Sequence, residues 1–144
     1  STIQQIIFKF YKLLLFSLFI ICLISINSFF VEASSGRKDD IRIIDCYDGD
    51  TCTSDRKEKI RLACIDAPEL KGSRANPKKA KAARDYLRSL TYKKVIQIHR
   101  ITKDRYGRTV GELFADGLDI QEQMVKSGHA RIYQKYSFQC EWSK

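Results

Sequence analysis

The order of local signals predicts an α+β domain, mainly β: a small five-stranded barrel with helices packed on it. Three observations carry that expectation. Short β-branched runs are separated by Asp-Gly and Pro punctuation, a helix opened by Asn76-Pro77 interrupts them after the third run, and two further runs with a second capped helix follow before Gly128. A chain of 144 residues is one domain's worth. Hydrophobic residues at 44% and aromatics at 11% supply a core and exclude a disordered basic tail.

The first 33 residues stand apart. Lys9 and Lys12 precede the uncharged run Leu13–Ile26, and Val31-Glu32-Ala33 then Ser34 has the small-x-small form of a signal-peptidase site. Cationic, apolar and cleavage regions in that order describe a secretory signal peptide. The alternative is a retained membrane anchor, since Leu13–Val31 is uncharged over 19 residues, enough to span a bilayer. Either way residues 1–33 are set aside from the fold, and the rest is expected outside the cell or in the periplasm. Ser34–Asp40 reads as a polar linker, and 41–144 as the folded domain.

Within that domain, Ile41–Cys46 is the first strand, Tyr47-Asp48-Gly49-Asp50 a turn, and Thr51–Thr53 the second strand, because Asp-Gly between two such runs signals a hairpin. Asp55–Lys59 is a charged turn and Ile60–Ile65 the third strand, with Arg61 among apolar neighbours. Asp66-Ala67-Pro68-Glu69 breaks it, since the residue before a proline is disfavoured in helix. A basic loop follows from Leu70 to Ala75. Asn76 caps and Pro77 opens a helix to about Leu90, with Ala80, Ala83, Leu87 and Leu90 on one face. Val95–Ile101 and Thr109–Ala115 are the last strands, joined by a turn at Lys103–Arg108. Asp119 with Glu122 starts a second helix in capping-box manner, and Gly128 ends it.

Charge and cysteine content narrow the function classes. Lys plus Arg is 26 against 17 Asp plus Glu, and residues 34–144 keep 24 and 16 of these. The positive charge therefore belongs to the folded part and points to a polyanion, nucleic acid or an anionic membrane surface. Cys46, Cys52, Cys64 and Cys140 are an even set in an exported domain, which favours disulfides over free thiols. Three connectivities are open to the sequence; Cys46 and Cys52 flank the hairpin turn and can lie opposite each other, which slightly favours that pair and would leave Cys64 with Cys140. Their spacing, with no Cys-x-x-Cys, argues against zinc.

The chemistry-bearing residues gather at turns and strand ends. Asp50 closes the first turn, and Asp66 and Glu69 flank Pro68; hard oxygen ligands of this kind suit a cation such as Ca²⁺. Arg61 in an apolar strand needs a partner, because an unpaired buried charge is expensive, and its planar fork fits a phosphate or a carboxylate. Arg108 follows Asp104-Arg105-Tyr106-Gly107. Each feature also has a plainer reading: Asp48 and Asp50 as turn formers, Arg61 as an ion-pair partner of Glu69, Arg105 and Arg108 as a solvated loop.

Four blocks in register go further. Asp48-Gly49-Asp50-Thr51, Ile60–Glu69, Asp104–Arg108, and Asp116-Gly117 with Gly128-His129-Ala130 resemble the signature blocks of the staphylococcal nuclease (thermonuclease) family, from about Ile41 to Tyr136. The resemblance implies an OB-fold barrel and Ca²⁺-dependent hydrolysis of DNA and RNA with little sequence preference, single-stranded or locally unpaired chains being favoured. It implies that Asp50 and Asp66 hold Ca²⁺ through carboxylates and Ala67 through its backbone carbonyl, the family's type protein having Thr there. It implies that Glu69 orients or deprotonates the attacking water and that Arg61 and Arg108 clamp the phosphate. Lys71, Lys78 and Lys79, with Tyr106, Tyr133 and Tyr136, would then hold the strand by charge and base stacking. Two departures stand out: the loop after Glu69 looks shorter, and Cys140–Lys144 looks like only the first turn of a third helix, as in a fragment. No obligate protein partner is implied, a monomer is expected, and a membrane enters only through a retained N-terminal segment. The competing function is an inactive nucleic-acid-binding barrel; the presence together of Arg61, Glu69, Arg108 and the two aspartates favours the nuclease.

Overall fold

The computed structural model describes residues 1–27 and 39–144. The chain divides into two units, 1–35 and 36–144. In the first, α1 (Thr2–Asn27) is helical, and its stretch Thr2–Ile20, with a mean hydropathy of 1.5, is long and apolar enough to cross a membrane. The expected cleavage site at Ala33 lies outside the described residues, as does most of the expected linker.

The second unit begins with β1 (Asp39–Ile41), so Asp39 and Asp40 are strand rather than linker. β2 (Ile43–Cys46), β3 (Thr51–Ser54) and β4 (Lys59–Leu62) follow, then the two-residue β5 (Ile65–Asp66). The helix α2 (Pro77–Thr91) precedes β6 (Ile96–Lys103) and β7 (Thr109–Ala115). The short β8 (Leu118–Asp119) leads into α3 (Ile120–Lys126), and β9 (Arg131–Ile132) precedes 3₁₀ turns at Gln134–Gln139 and Glu141–Ser143.

The path of the main sheet is β1-β6-β7-β4-β3-β2. β1 and β2 are successive halves of one strand divided at Arg42, yet they pair at opposite ends of that path, which curls the sheet back on itself into a five-stranded barrel. β4 and β7 pair in parallel, Ile60 with Thr109 and Leu62 with Gly111; the other pairs are antiparallel. Inside sit Ile60, Leu62, Ile65, Ile96, Ile98 and Leu113, closed by Ala83 and Leu87 of α2 and Ile120 and Met124 of α3.

Both helices start as the sequence predicts. Asn76 Oδ1 accepts the Lys79 N–H at 3.1 Å, and Asp119 Oδ1 accepts the Glu122 N–H at 2.9 Å. The expected strand Ile60–Ile65 is divided, because Ala63-Cys64 turns the chain with Cys64 in the left-handed region at φ 66°. Disulfides join Cys46 to Cys52, directly opposite across β2 and β3, and Cys64 to Cys140.

Gly49 has a different role from the one its Asp-Gly context predicts. A Cβ there would stand 2.6 Å from Ala83 Cβ and 2.7 Å from Ala67 Cβ. The glycine therefore lets α2 and the Ala67 loop close on the first turn, and the aspartates on either side are carried into the interior. Asp48 and Asp50 are 5% and 4% exposed, so they are more than solvated turn formers.

Candidate active site

The site is built on the turn between β2 and β3, the strand β4, and the segments that follow β4 and β6. Asp50 is its centre. Its Oδ2 accepts the Ala67 N–H at 2.8 Å and lies 3.3 Å from an Arg61 guanidinium nitrogen, while its Oδ1 accepts the Thr51 hydroxyl at 3.2 Å. Asp48 Oδ1 accepts the Asp50 N–H at 3.0 Å and fixes the turn. Burial drives the Asp50 carboxyl up to about 7; Arg61 opposes that rise, and Asp48 adds to it.

Arg61 is oriented along β4 by its own neighbourhood. Its two terminal nitrogens donate to the carbonyls of Leu62 at 2.6 Å and Ile65 at 2.9 Å. Those carbonyls bracket the Ala63-Cys64 turn, so the break in the expected third strand is what offers the guanidinium its acceptors. Its acidic partner is Asp50, not Glu69.

Arg108 reaches the same place from the loop between β6 and β7. Its backbone N–H and Nε donate to the two Asp104 oxygens at 3.0 and 2.7 Å, and a terminal nitrogen lies 3.5 Å from Thr51 Oγ1. Burial works against ionisation of Asp104, but these hydrogen bonds outweigh it and hold its carboxyl below the usual range. Arg105 and Arg108 both lie over the Tyr106 ring, 4.8 and 5.4 Å from its centre. The arginines are thus organised, not merely solvated.

Arg61, Arg108, Tyr106, Tyr133 and Tyr136 line one cavity of about 500 Å³. Tyr133 and Tyr136 meet edge to face with ring centres 5.1 Å apart, and the Tyr133 N–H donates to the Cys64 carbonyl at 2.8 Å. Asp66, Ala67, Glu69 and Lys79 line a neighbouring cavity of about 350 Å³. Asp66 Oδ2 accepts from Arg131 Nε and a terminal nitrogen at 3.0 and 2.6 Å. Glu69 is exposed, near enough to Asp50 to raise its carboxyl further. Lys71 and Lys78 are exposed and line neither cavity.

Sequence reasoning missed three contributors: Thr51, which joins Asp50 to Arg108; Asp104, which aims Arg108 from four residues upstream; and Arg131, which holds Asp66. The spacing of Asp104 and Arg108 was a readable signal; the other two contacts join distant segments.

Among the described residues, no three His, Cys, Asp or Glu side chains converge as a ready-made metal cage. The donor set nonetheless suits a hard cation. Asp50 is buried beside a second buried aspartate, and Asp66 Oδ1 has no partner among the described residues.

A sheet curled into a five-stranded barrel with helices on it, with Arg61 paired to a buried carboxylate and Arg108 linked to it through Thr51, is a domain of the OB class. The chain belongs to the staphylococcal nuclease homologue family, whose model matches residues 59–143. It is 37% identical over 130 residues to a protein of Haemophilus influenzae called an uncharacterized endonuclease, covering 88% of this chain and 67% of that one. It is 37% identical over 103 residues to the probable staphylococcal-like nuclease CAN2 of Oryza sativa subsp. japonica, covering 72% of this chain and 26% of the rice protein. An uncharacterized endonuclease of Escherichia coli O157:H7 is 34% identical over 100 residues, with 67% of this chain and 62% of that protein covered. The chain thus spans about two thirds of these bacterial relatives and about a quarter of the rice protein.

Proposed function

We propose that the domain hydrolyses phosphodiester bonds of DNA and RNA with little sequence preference, using Ca²⁺, and that it acts after export behind a cleaved leader at residues 1–33. The observation that carries the reading is the pair Arg61 and Arg108, oriented by separate partners and lining one cavity beside buried Asp50.

A phosphodiester is anionic and repels a hydroxide nucleophile, so hydrolysis needs positive charge where the five-coordinate phosphorus gathers negative oxygen. Arg61 and Arg108 supply it as planar forks matched to two phosphate oxygens each. Arg61's hydrogen bonds to Leu62 and Ile65, and Arg108's to Asp104, fix those forks before substrate arrives. Asp50 and Asp66, with the Ala67 carbonyl, would hold Ca²⁺; when bound, the ion polarises the phosphoryl oxygen and neutralises developing charge. Glu69, an exposed carboxylate at the same end of the barrel, positions the attacking water and takes its proton. Tyr106, Tyr133 and Tyr136 offer rings on which bases stack, which is tolerant of sequence and favours unpaired strands. Removal of either arginine is expected to cost roughly 3–4 kcal/mol in the transition state, about 10²–10³ in rate.

A zymogram on DNA and on RNA, with Ca²⁺ and with chelator, tests the activity. Clearing with Ca²⁺ alone supports the reading. Binding of single strands without clearing under either condition replaces it with a non-catalytic nucleic-acid-binding barrel. Asp50→Asn tests the ligand assignment: calorimetric Ca²⁺ binding and activity both fall, and unchanged Ca²⁺ dependence refutes it.

A further inference from the structure

The two cavities meet at the ribbon formed by β5 and β9. Ile65 pairs with Ile132 at one position and Asp66 with Arg131 at the next. The chain before Asp66, Arg61 to Ile65, lines the first cavity together with Tyr133. The chain from Asp66 to Glu69 lines the second, together with Arg74, Lys79, His129 and Arg131. The phosphate clamp of Arg61 and Arg108 uses only the first.

The second cavity has cations to spare. Arg131 is engaged with Asp66. Arg74 and Lys79 are exposed and make no ion pair among the described residues. One wall is held in place: the His129 ring stacks on Tyr86 of α2, with centres 4.4 Å apart and planes 10° from parallel. His129 Nδ1 and the Ser127 hydroxyl are 2.8 Å apart, which leaves Nε2 without a partner among the described residues. Against the Glu69 carboxylate on the same cavity, two unpaired cations and an oriented imidazole leave a net-positive site for an anion attached to a polar or aromatic body.

We propose that this cavity binds the nucleotide adjoining the scissile phosphate, on the side away from the tyrosines. Arg74 and Lys79 hold its phosphate, and His129 contacts its sugar or base. The strand then crosses the β5–β9 ribbon with contacts on both sides of the cleaved bond, which makes the interior of a chain a better substrate than its end. The proposal rests on the nuclease reading for its ligand class and extends it to residues outside the clamp.

The test uses the full chain with chelator present, so that nothing is cut, and fluorescein-labelled single-stranded DNA of two and twelve nucleotides, followed by anisotropy. In Arg74→Ala/Lys79→Ala, the Kd for the twelve-mer is expected to rise about tenfold or more, while that for the dinucleotide changes less than about twofold. The slope of log affinity against log salt for the twelve-mer falls by roughly 0.7, the change for one lost phosphate on a single strand. His129→Ala reduces twelve-mer affinity without changing that slope. Equal losses at both lengths would overturn the proposal in favour of a diffuse positive field, and so would no loss at twelve nucleotides. If the double variant melts early, Arg74→Gln carries the same length comparison, with a loss at twelve nucleotides and none at two. Failure of the wild-type chain to cut DNA with Ca²⁺ would count against the nuclease reading alone, because the length comparison is made without cleavage.

Discussion

Replacing Gly49 by alanine is expected to disturb fold and site together. The added Cβ would meet Ala83 Cβ at 2.6 Å and Ala67 Cβ at 2.7 Å, both on buried residues whose side chains have no other rotamer to adopt. Ordinary carbon contacts lie at about 3.5–4.0 Å, so α2 or the Ala67 loop must move by roughly 1 Å. Overpacking of this kind costs about 1–3 kcal/mol. Displacing the Ala67 loop also lengthens the bond from the Ala67 N–H to Asp50 Oδ2, now 2.8 Å. A hydrogen bond to a charged group is worth about 1.5–3 kcal/mol. The combined loss, about 3–5 kcal/mol, is a large part of a typical domain stability of about 5–15 kcal/mol. For a domain of this size the melting temperature should fall by more than 10 °C, at roughly 4–8 °C per kcal/mol. Activity measured well below the new melting point should also fall, by about 10² for a 1 Å misplacement of a catalytic group. Differential scanning calorimetry and initial rates on single-stranded DNA provide both readouts. A melt within 2 °C of the wild type, with full activity, would refute the close approach on which this reasoning depends.

Three further outcomes follow from contacts described above. Arg108→Lys keeps the charge and loses the fork that Asp104 orients, so most activity should disappear in a rate assay on DNA; near-normal rates would reduce Arg108 to a general positive charge. Glu58 accepts from Arg100 at 2.9 and 2.7 Å and from the Thr109 hydroxyl at 2.6 Å, and the Arg100 bonds, foremost, pull its carboxyl down to about 2. Because that lies below the ordinary value of 4.5, the stabilisation is complete above pH 4.5 and is lost as pH falls through about 2. Glu58→Gln should therefore cost roughly 2–3 kcal/mol in urea unfolding at pH 7 and flatten the acid limb of the stability profile between those values. Removing the Cys64–Cys140 link, with a separation of 76, should destabilise about 2 kcal/mol more than removing Cys46–Cys52, with a separation of 6. Intact mass after alkylation with and without reduction checks the pairing, and denaturant midpoints of the paired serine variants check the order.

The parts of the fold legible in the sequence are those set by local chemistry. Asn76 before Pro77 and Asp119 before Glu122 marked both helix starts, because a cap satisfies its amides within one turn. Thr109–Ala115 matched β7, because a charged turn precedes it and Asp-Gly follows. The division of the first strand at Arg42 and of the third at Cys64 left no trace, since neither position carries the glycine or proline that announces a break. Cys64 takes its left-handed φ where a distant cysteine, Cys140, and the Tyr133 N–H both reach it. Gly49 was read as a turn former because its neighbours are aspartates; its function comes from a helix more than thirty residues away. The site shows the same divide. Arg61 needed a carboxylate and the sequence pointed to Glu69, but the folded turn brings buried Asp50 to it instead. The second cavity was hidden because it joins the loop at Arg74 and Lys79 to the distant segment His129–Arg131, with no spacing that links the two.

The way the first strand is used twice has a consequence for behaviour at high concentration. An open sheet ends in strands whose unpaired amides and carbonyls invite a neighbouring molecule to continue the ladder. Here the path ends in β1 and β2, three and four residues long, which are joined to each other through Arg42. The longest strands, β6 and β7, are both interior to the path. Among the described residues β1 covers only Ile96–Ile98 of β6, so the edge a second copy could extend lies along the far half of β6, and opening the barrel between its two ends would lengthen it. Conditions that loosen Asp39–Cys46 should therefore widen the exposed edge and favour addition of a second copy.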